Sequence, residues 1–121
     1  MNTQDYLQSN LPAYLEMLQQ MVAINSFTSN PEGVNELGNL TAKVFSHLGF
    51  QADFIQSSNP KYGKHLFLTR GATQTNPGKP VQTIAMVSHL DTVFPPAEEI
   101  QNNFSWRQEG DRIYGPGTVD I

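Results

Sequence analysis

A chain of 121 residues is long enough for one small domain with its own core and too short for two. Seven Lys plus Arg against eleven Asp plus Glu give a formal charge of −4. This excludes both the clustered basic surface that binds nucleic acid and the basic amphipathic segment that binds anionic membranes.

Hydrophobic residues make up 38% and charged residues 15%, a composition that supports a globular core. Cysteine is absent, which removes disulfides, thiolate zinc sites and cysteine nucleophiles, so any metal must be held by His, Asp and Glu. The opening Met1-Asn-Thr-Gln-Asp-Tyr has no positive region followed by an apolar stretch, and no apolar run reaches membrane-span length. A soluble cytoplasmic protein is the expectation.

Leu11, Leu15, Leu18 and Val22 recur at helical spacing, with Tyr14 and Met21 beside them. They predict a helix from about Leu11 to Ala23, capped by Ser9 or Asn10 with Pro12 in its first turn, or extended backward by Tyr6 and Leu7. Residues 25–30 read as a polar turn. Asn30 then caps a second helix, with Pro31 at its first position and Leu37, Leu40, Val44 and Leu48 along one face. Gly49 is placed for the left-handed C′ conformation, with Phe50 as its hydrophobic partner.

Three strand-like runs follow, Ala52 to Gln56, Leu66 to Thr69 and Val81 to Val87, joined by loops rich in Ser, Asn, Gly and Pro. The third is nearly continuous in apolar residues from Ile84, the pattern of a central strand covered on both faces. Beyond it, Pro95-Pro96 breaks the chain and residues 97–103 are irregular or briefly helical. Residues 104–114 form a hairpin turning at Glu109-Gly110-Asp111, and Gly115-Pro116-Gly117 makes a tight bend before Asp120. Helices followed by strands, without a linker or repeat, define an α/β layer structure of one domain.

Chemistry concentrates at Ser88-His89-Leu90-Asp91, at the carboxyl end of the expected central strand, where open α/β sheets place ligands. In an extended segment His89 and Asp91 leave the same face. An imidazole with a nearby carboxylate is half of a metal site, and Asp120 is positioned to return a third group. A His-x-Asp triplet alone is weak, and a strand-end histidine bonded to its neighbour explains it equally. His47 near a helix C-terminus and His65 beside Lys64 read as solvated side chains, and Phe104 and Trp106 as hairpin packing. Ser26 and Ser88 lack a His–acid arrangement, and Gly115-x-Gly117 lacks the trailing Lys of a phosphate loop.

Taken together, Ser-His-Leu-Asp-Thr-Val-Phe-Pro, then Trp106, then Glu-Gly-Asp-Arg-Ile-Tyr-Gly-Pro-Gly-Thr-Val-Asp resembles the metallopeptidase family that includes aminoacylase, succinyl-diaminopimelate desuccinylase and glutamate carboxypeptidase. The likeness extends to the front, where a helix, a Ser-containing turn, a second helix and Leu-Gly-Phe precede the first strand. Gly115-Pro116-Gly117, in place of the commoner Gly-Arg-Gly, leans toward the glutamate carboxypeptidase branch.

The resemblance implies the N-terminal part of a three-layer αβα zinc-exopeptidase-like domain, with two helices followed by a mixed sheet, spanning residues 1–121. It implies His89 as a ligand of one zinc, Asp120 as a bridge between two, and Asp91 as a catalytic residue that orients His89. Cobalt or manganese are alternatives to zinc. The peptide bond from Asp120 to Ile121 is often cis in that family.

The resemblance places the family's Glu-Glu pair, a further acidic ligand and a second histidine downstream of Asp120, and the smaller dimerisation domain is absent. The expectation is therefore a fragment of a two-zinc hydrolase acting on small peptides or N-acyl amino acids, inactive by itself and a possible homodimer at full length. The competing expectations are a noncatalytic remnant that binds a partner or itself and a single-metal binding module.

Overall fold

The computed structural model describes residues 2–71, 78 and 82–120. Helix α1 spans Thr3–Val22 and begins eight residues before the apolar stripe at Leu11, because Asn2 supplies an earlier cap: its Oδ1 accepts from the Asp5 amide at 2.9 Å. Pro12 therefore lies inside the helix, not in its first turn. Its ring nitrogen cannot bond the carbonyl one turn back. Ser9 Oγ and Asn10 Nδ2, expected as caps, instead donate to the Tyr6 carbonyl at 3.0 and 2.8 Å.

Helix α2, Pro31–Ser46, follows its signals closely. Asn30 Oδ1 accepts from the Gly33 amide at 3.3 Å, and Pro31 opens the helix. At the far end Gly49 takes φ +83°, a conformation open to glycine at no steric cost. The chain then turns back so that the Phe50 amide donates to Phe45 O and the two rings meet edge to face at 5.4 Å.

Strands β1 (Gln51–Ile55) and β2 (His65–Thr69) pair antiparallel, with Phe54 opposite Leu66 and Ala52 opposite Leu68. Phe54, Leu66 and Leu68 are half-buried and α2 packs on this hairpin, while Phe67 between them points outward, 55% exposed. Gly38 of α2 is the contact point: a methyl there would lie 3.2 Å from the Phe54 ring and 3.4 Å from Leu90. A short helix α3 (Pro96–Gln101) and a second antiparallel hairpin, β3 (Arg107–Glu109) and β4 (Arg112–Tyr114), complete the order. The β3–β4 turn centres on Gly110 with φ +63°, as its sequence predicts.

The class is α/β, two helices followed by small antiparallel sheets, and it is compatible with the N-terminal part of a larger domain. One expected element is not formed. Val81 lies outside the described residues, and residues 82–90 pair with no strand among the described residues. A strand requires a neighbour for its amides and carbonyls, and the two hairpins bond only within themselves. Ile84, Met86 and Val87 consequently stand 88%, 94% and 95% exposed.

The core among the described residues is small, centred on Val22 and Val34. The chain exposes 9480 Å², against the roughly 6500 Å² a folded monomer of this mass presents. Uncovered apolar surface among the described residues includes Tyr6, Leu7 and Leu11 of α1, Ile84, Met86 and Val87, and Val93, Ile100 and Val119. No helix among the described residues is long and apolar enough to cross a membrane.

Gly33 is a place where close packing admits no side chain, because a Cβ there would collide with the Asn25 carbonyl oxygen. Gly33→Ala should lower stability by about 1–3 kcal/mol, read as a lower urea midpoint. Gly71→Ala, with nothing within 4 Å of the added methyl, should stay within about 0.5 kcal/mol of the parent.

Candidate functional site

The loop between α1 and α2 and the segment that begins at His89 are tied together by a short parallel bridge between Phe27 and Thr92. The Thr92 amide donates to Ser26 O at 2.8 Å and the Thr28 amide to Thr92 O at 3.0 Å. Ser26 is only 2% exposed, so its backbone makes this bond out of water.

Asn25 adds three contacts. Its Nδ2 donates to Phe94 O at 3.0 Å and to Glu99 Oε1 at 2.7 Å, and its Oδ1 accepts from the Phe27 amide at 3.3 Å. Asn30 Nδ2 then fixes the turn by donating to Asn25 O at 2.8 Å. A polar loop in the sequence is in fact the brace of residues 91–99.

On this brace His89 lies between two carboxylates. Its Nδ1 is 2.8 Å from the backbone carbonyl of Asp91 and 3.5 Å from Asp91 Oδ1. A carbonyl only accepts, so Nδ1 carries a proton, and in the neutral form of the ring Nε2 holds the lone pair. Nε2 faces Asp120 Oδ1 at 3.5 Å.

Asp120 reaches this place through the Gly-Pro-Gly bend, which is closed by Thr118 Oγ1 donating to Gly115 O at 3.2 Å. The bend has no room to move inward. A methyl on Gly115 would lie 3.0 Å from Val22 Cγ1, and one on Gly117 would lie 3.0 Å from Thr92 Cγ2. The Asp120–Ile121 bond lies outside the described residues.

All three residues singled out by sequence thus meet at one ring, but they do not address one point. Asp91 contacts the Nδ1 side and Asp120 the Nε2 side, so only Nε2 and the Asp120 carboxylate face a common position. Accordingly, no group of three or more His, Asp or Glu is poised around a single ion among the described residues. The remaining pair still fits one metal. Two donors about 2.0–2.1 Å from a tetrahedral ion stand roughly 3.4 Å apart, and the observed gap is 3.5 Å.

Thr28 is the residue that sequence reasoning passed over. Its hydroxyl donates to Asp91 Oδ2 at 2.6 Å and lies 3.2 Å from Thr92 O. No sequence pattern announces this, since the partners are 63 positions apart. His47 stands at the C-cap of α2 and His65 opens β2, both remote in the chain from this cluster.

Along 109 residues the chain is 30% identical to carboxypeptidase G2 of Pseudomonas sp. (strain RS-16), an alignment covering 90% of this chain and 24% of that protein. The chain therefore spans about a quarter of the length of the relative it matches. No family model matches the chain. The similarity is to a peptidase-type hydrolase, and the aligned stretch takes in nearly all the elements described above.

The electrostatics of the cluster act on His89. The Asp91 carbonyl bonded to Nδ1 raises its pKa above the ordinary 6.5; desolvation opposes this, and the Asp120 and Asp91 carboxylates add to the rise. Because the folded value is raised, the stabilisation from protonated His89 is fully present below pH 6.5 and is lost as pH climbs through the folded pKa. In an NMR titration of the imidazole, His89 should have a midpoint above that of an unstructured histidine. Asp120→Asn should bring that midpoint partway down, leaving the contribution of the Asp91 carbonyl.

Proposed function

We propose that residues 1–121 form the N-terminal portion of the catalytic domain of a two-zinc hydrolase of the metallopeptidase family resembled by its motifs. The substrate is an amide beside a free carboxylate, in a small peptide or an N-acyl amino acid. The observation that carries this reading is the His89 ring, with Nδ1 2.8 Å from the Asp91 carbonyl and Nε2 3.5 Å from the Asp120 carboxylate. The similarity to a carboxypeptidase over 90% of the chain supports it independently.

In this reading His89, through Nε2, and the Asp120 carboxylate are the residues of this chain that would hold the metal. Asp91 holds the imidazole in its Nδ1–H tautomer and so keeps Nε2 available as a ligand. Zinc, when bound, would supply Lewis-acid polarisation of the scissile carbonyl and activation of water near neutral pH. Cobalt or manganese fits the same nitrogen and oxygen donors. A cytoplasmic location and a homodimer of the longer protein belong to the same proposal.

The chain's own residues would bind and orient, but the resemblance assigns none of them as general base. It gives that role to one member of a Glu-Glu pair whose other member is a ligand, and without a base no proton leaves the attacking water. The purified 121-residue chain should therefore show no zinc-dependent hydrolysis of N-acyl amino acids or dipeptides; a chelator-sensitive rate would overturn this reading. In a longer protein that contains the chain, His89→Ala and Asp120→Ala should abolish activity. Asp91→Ala should lower kcat/KM about 10–100-fold.

A second reading, a noncatalytic module that binds a partner or itself, is favoured by the exposure of Ile84, Met86 and Val87. The coding sequence after Ile121 discriminates. Lys-Gly-Gly followed by a Glu-Glu pair supports the hydrolase, and an in-frame stop supports the module.

A further inference from the structure

We infer that Thr28 is a positioning residue of the His89 site, clamping the Asp91 carboxylate to the loop between the first two helices. The inference rests on the metal-site reading above and extends it to a side chain of a different segment.

Asp91 is the sole neighbour bonded to the Nδ1 edge of His89 among the described residues, through a carbonyl at 2.8 Å. A carbonyl bond orients a ring only as well as the peptide carrying it is held. That peptide is Asp91–Thr92, whose N–H donates to Ser26 O at 2.8 Å. The side chain of Asp91 is fixed separately. Thr28 Oγ1 donates to Asp91 Oδ2 at 2.6 Å, the short distance of a hydroxyl bonded to a charged carboxylate.

The hydroxyl is itself immobilised. The Thr28 amide bonds Thr92 O, the Thr92 amide bonds Ser26 O, and Ser26 is buried. A hydroxyl has one proton to donate, and the shorter contact claims it for Asp91, leaving Thr92 O to the Thr28 amide. The chain of contacts thus runs from the 26–28 backbone to the Thr28 hydroxyl, to both ends of Asp91, and on to the imidazole. With Oδ2 occupied by Thr28, Oδ1 is the oxygen left facing Nδ1 at 3.5 Å. Loss of an outer partner of this kind weakens metal affinity about 10–100-fold in built sites. In a site offering two ligands the loss is expected nearer the low end.

The test is Zn²⁺ titration of the chain, followed at the individual imidazole signals of His89, His47 and His65. Thr28→Val should weaken Zn²⁺ affinity at His89 about 5–10-fold while leaving the other two histidines unchanged. Thr28→Ser, which keeps the hydroxyl, should stay within about twofold of the parent.

In an Asp91→Ala background Thr28→Val should have no further effect, because the clamp has nothing left to hold. An equal effect in both backgrounds, or no effect of Thr28→Val where the parent binds at His89, overturns the positioning role alone. Failure of the parent chain to bind Zn²⁺ at His89 in preference to His47 and His65 overturns the metal-site reading and this inference with it. Amide spectra of each variant identify any loss of fold, and in that case the serine variant and the Asp91 background carry the decision.

Discussion

Two backbone hydrogen bonds, Thr92 N–H to Ser26 O and Thr28 N–H to Thr92 O, join the front of the chain to the segment that bears the chemistry. They close a loop of more than sixty residues, and everything at the site is referred to them. The Thr28 hydroxyl reaches Asp91 because its own backbone is held there. The Gly-Pro-Gly bend delivers Asp120 because Gly117 rests against the Thr92 methyl and Gly115 against Val22 at the end of α1. Asn25 extends the same attachment to Phe94 and Glu99. Buried bonds of this kind are costly to leave unmade, so residues 25–28 and 91–94 have few alternative arrangements relative to each other.

The helices and hairpins were legible in proportion to how local their causes are. Asn30, Pro31 and Gly49 announce both ends of α2 within a few residues, and α2 begins at Pro31 accordingly. The β3–β4 turn at Gly110 is equally local. The start of α1 misled because Pro12 and Asn10 imitate a helix N-terminus, while the effective cap is Asn2. The run ending at Val87 has the composition of a buried strand, but composition expresses a preference for partners and cannot supply them. The α/β class survives this difference because it depends on the order of elements and not on how the sheets join.

At the site, sequence spacing named His89, Asp91 and Asp120, and they do gather around one imidazole. Spacing could not say that Asp91 meets the ring chiefly through its main chain, nor that the two acids take opposite ring nitrogens. Thr28 and Asn25 were invisible for a related reason. Their partners lie 63 to 74 positions away, and a polar loop has the same composition whether it is solvated or acts as a brace.

The bare stretch around residues 84–87 has a practical corollary. An uncharged, β-favouring run that pairs with no strand among the described residues offers a template to any extended chain, including another copy of itself. Concentrated preparations of the isolated polypeptide will therefore be governed by colloidal behaviour, with intermolecular sheet growth competing against the native state. A charged or proline substitution at the solvent-facing Met86 is the simplest gatekeeper, because it blocks that growth without touching the ring at His89.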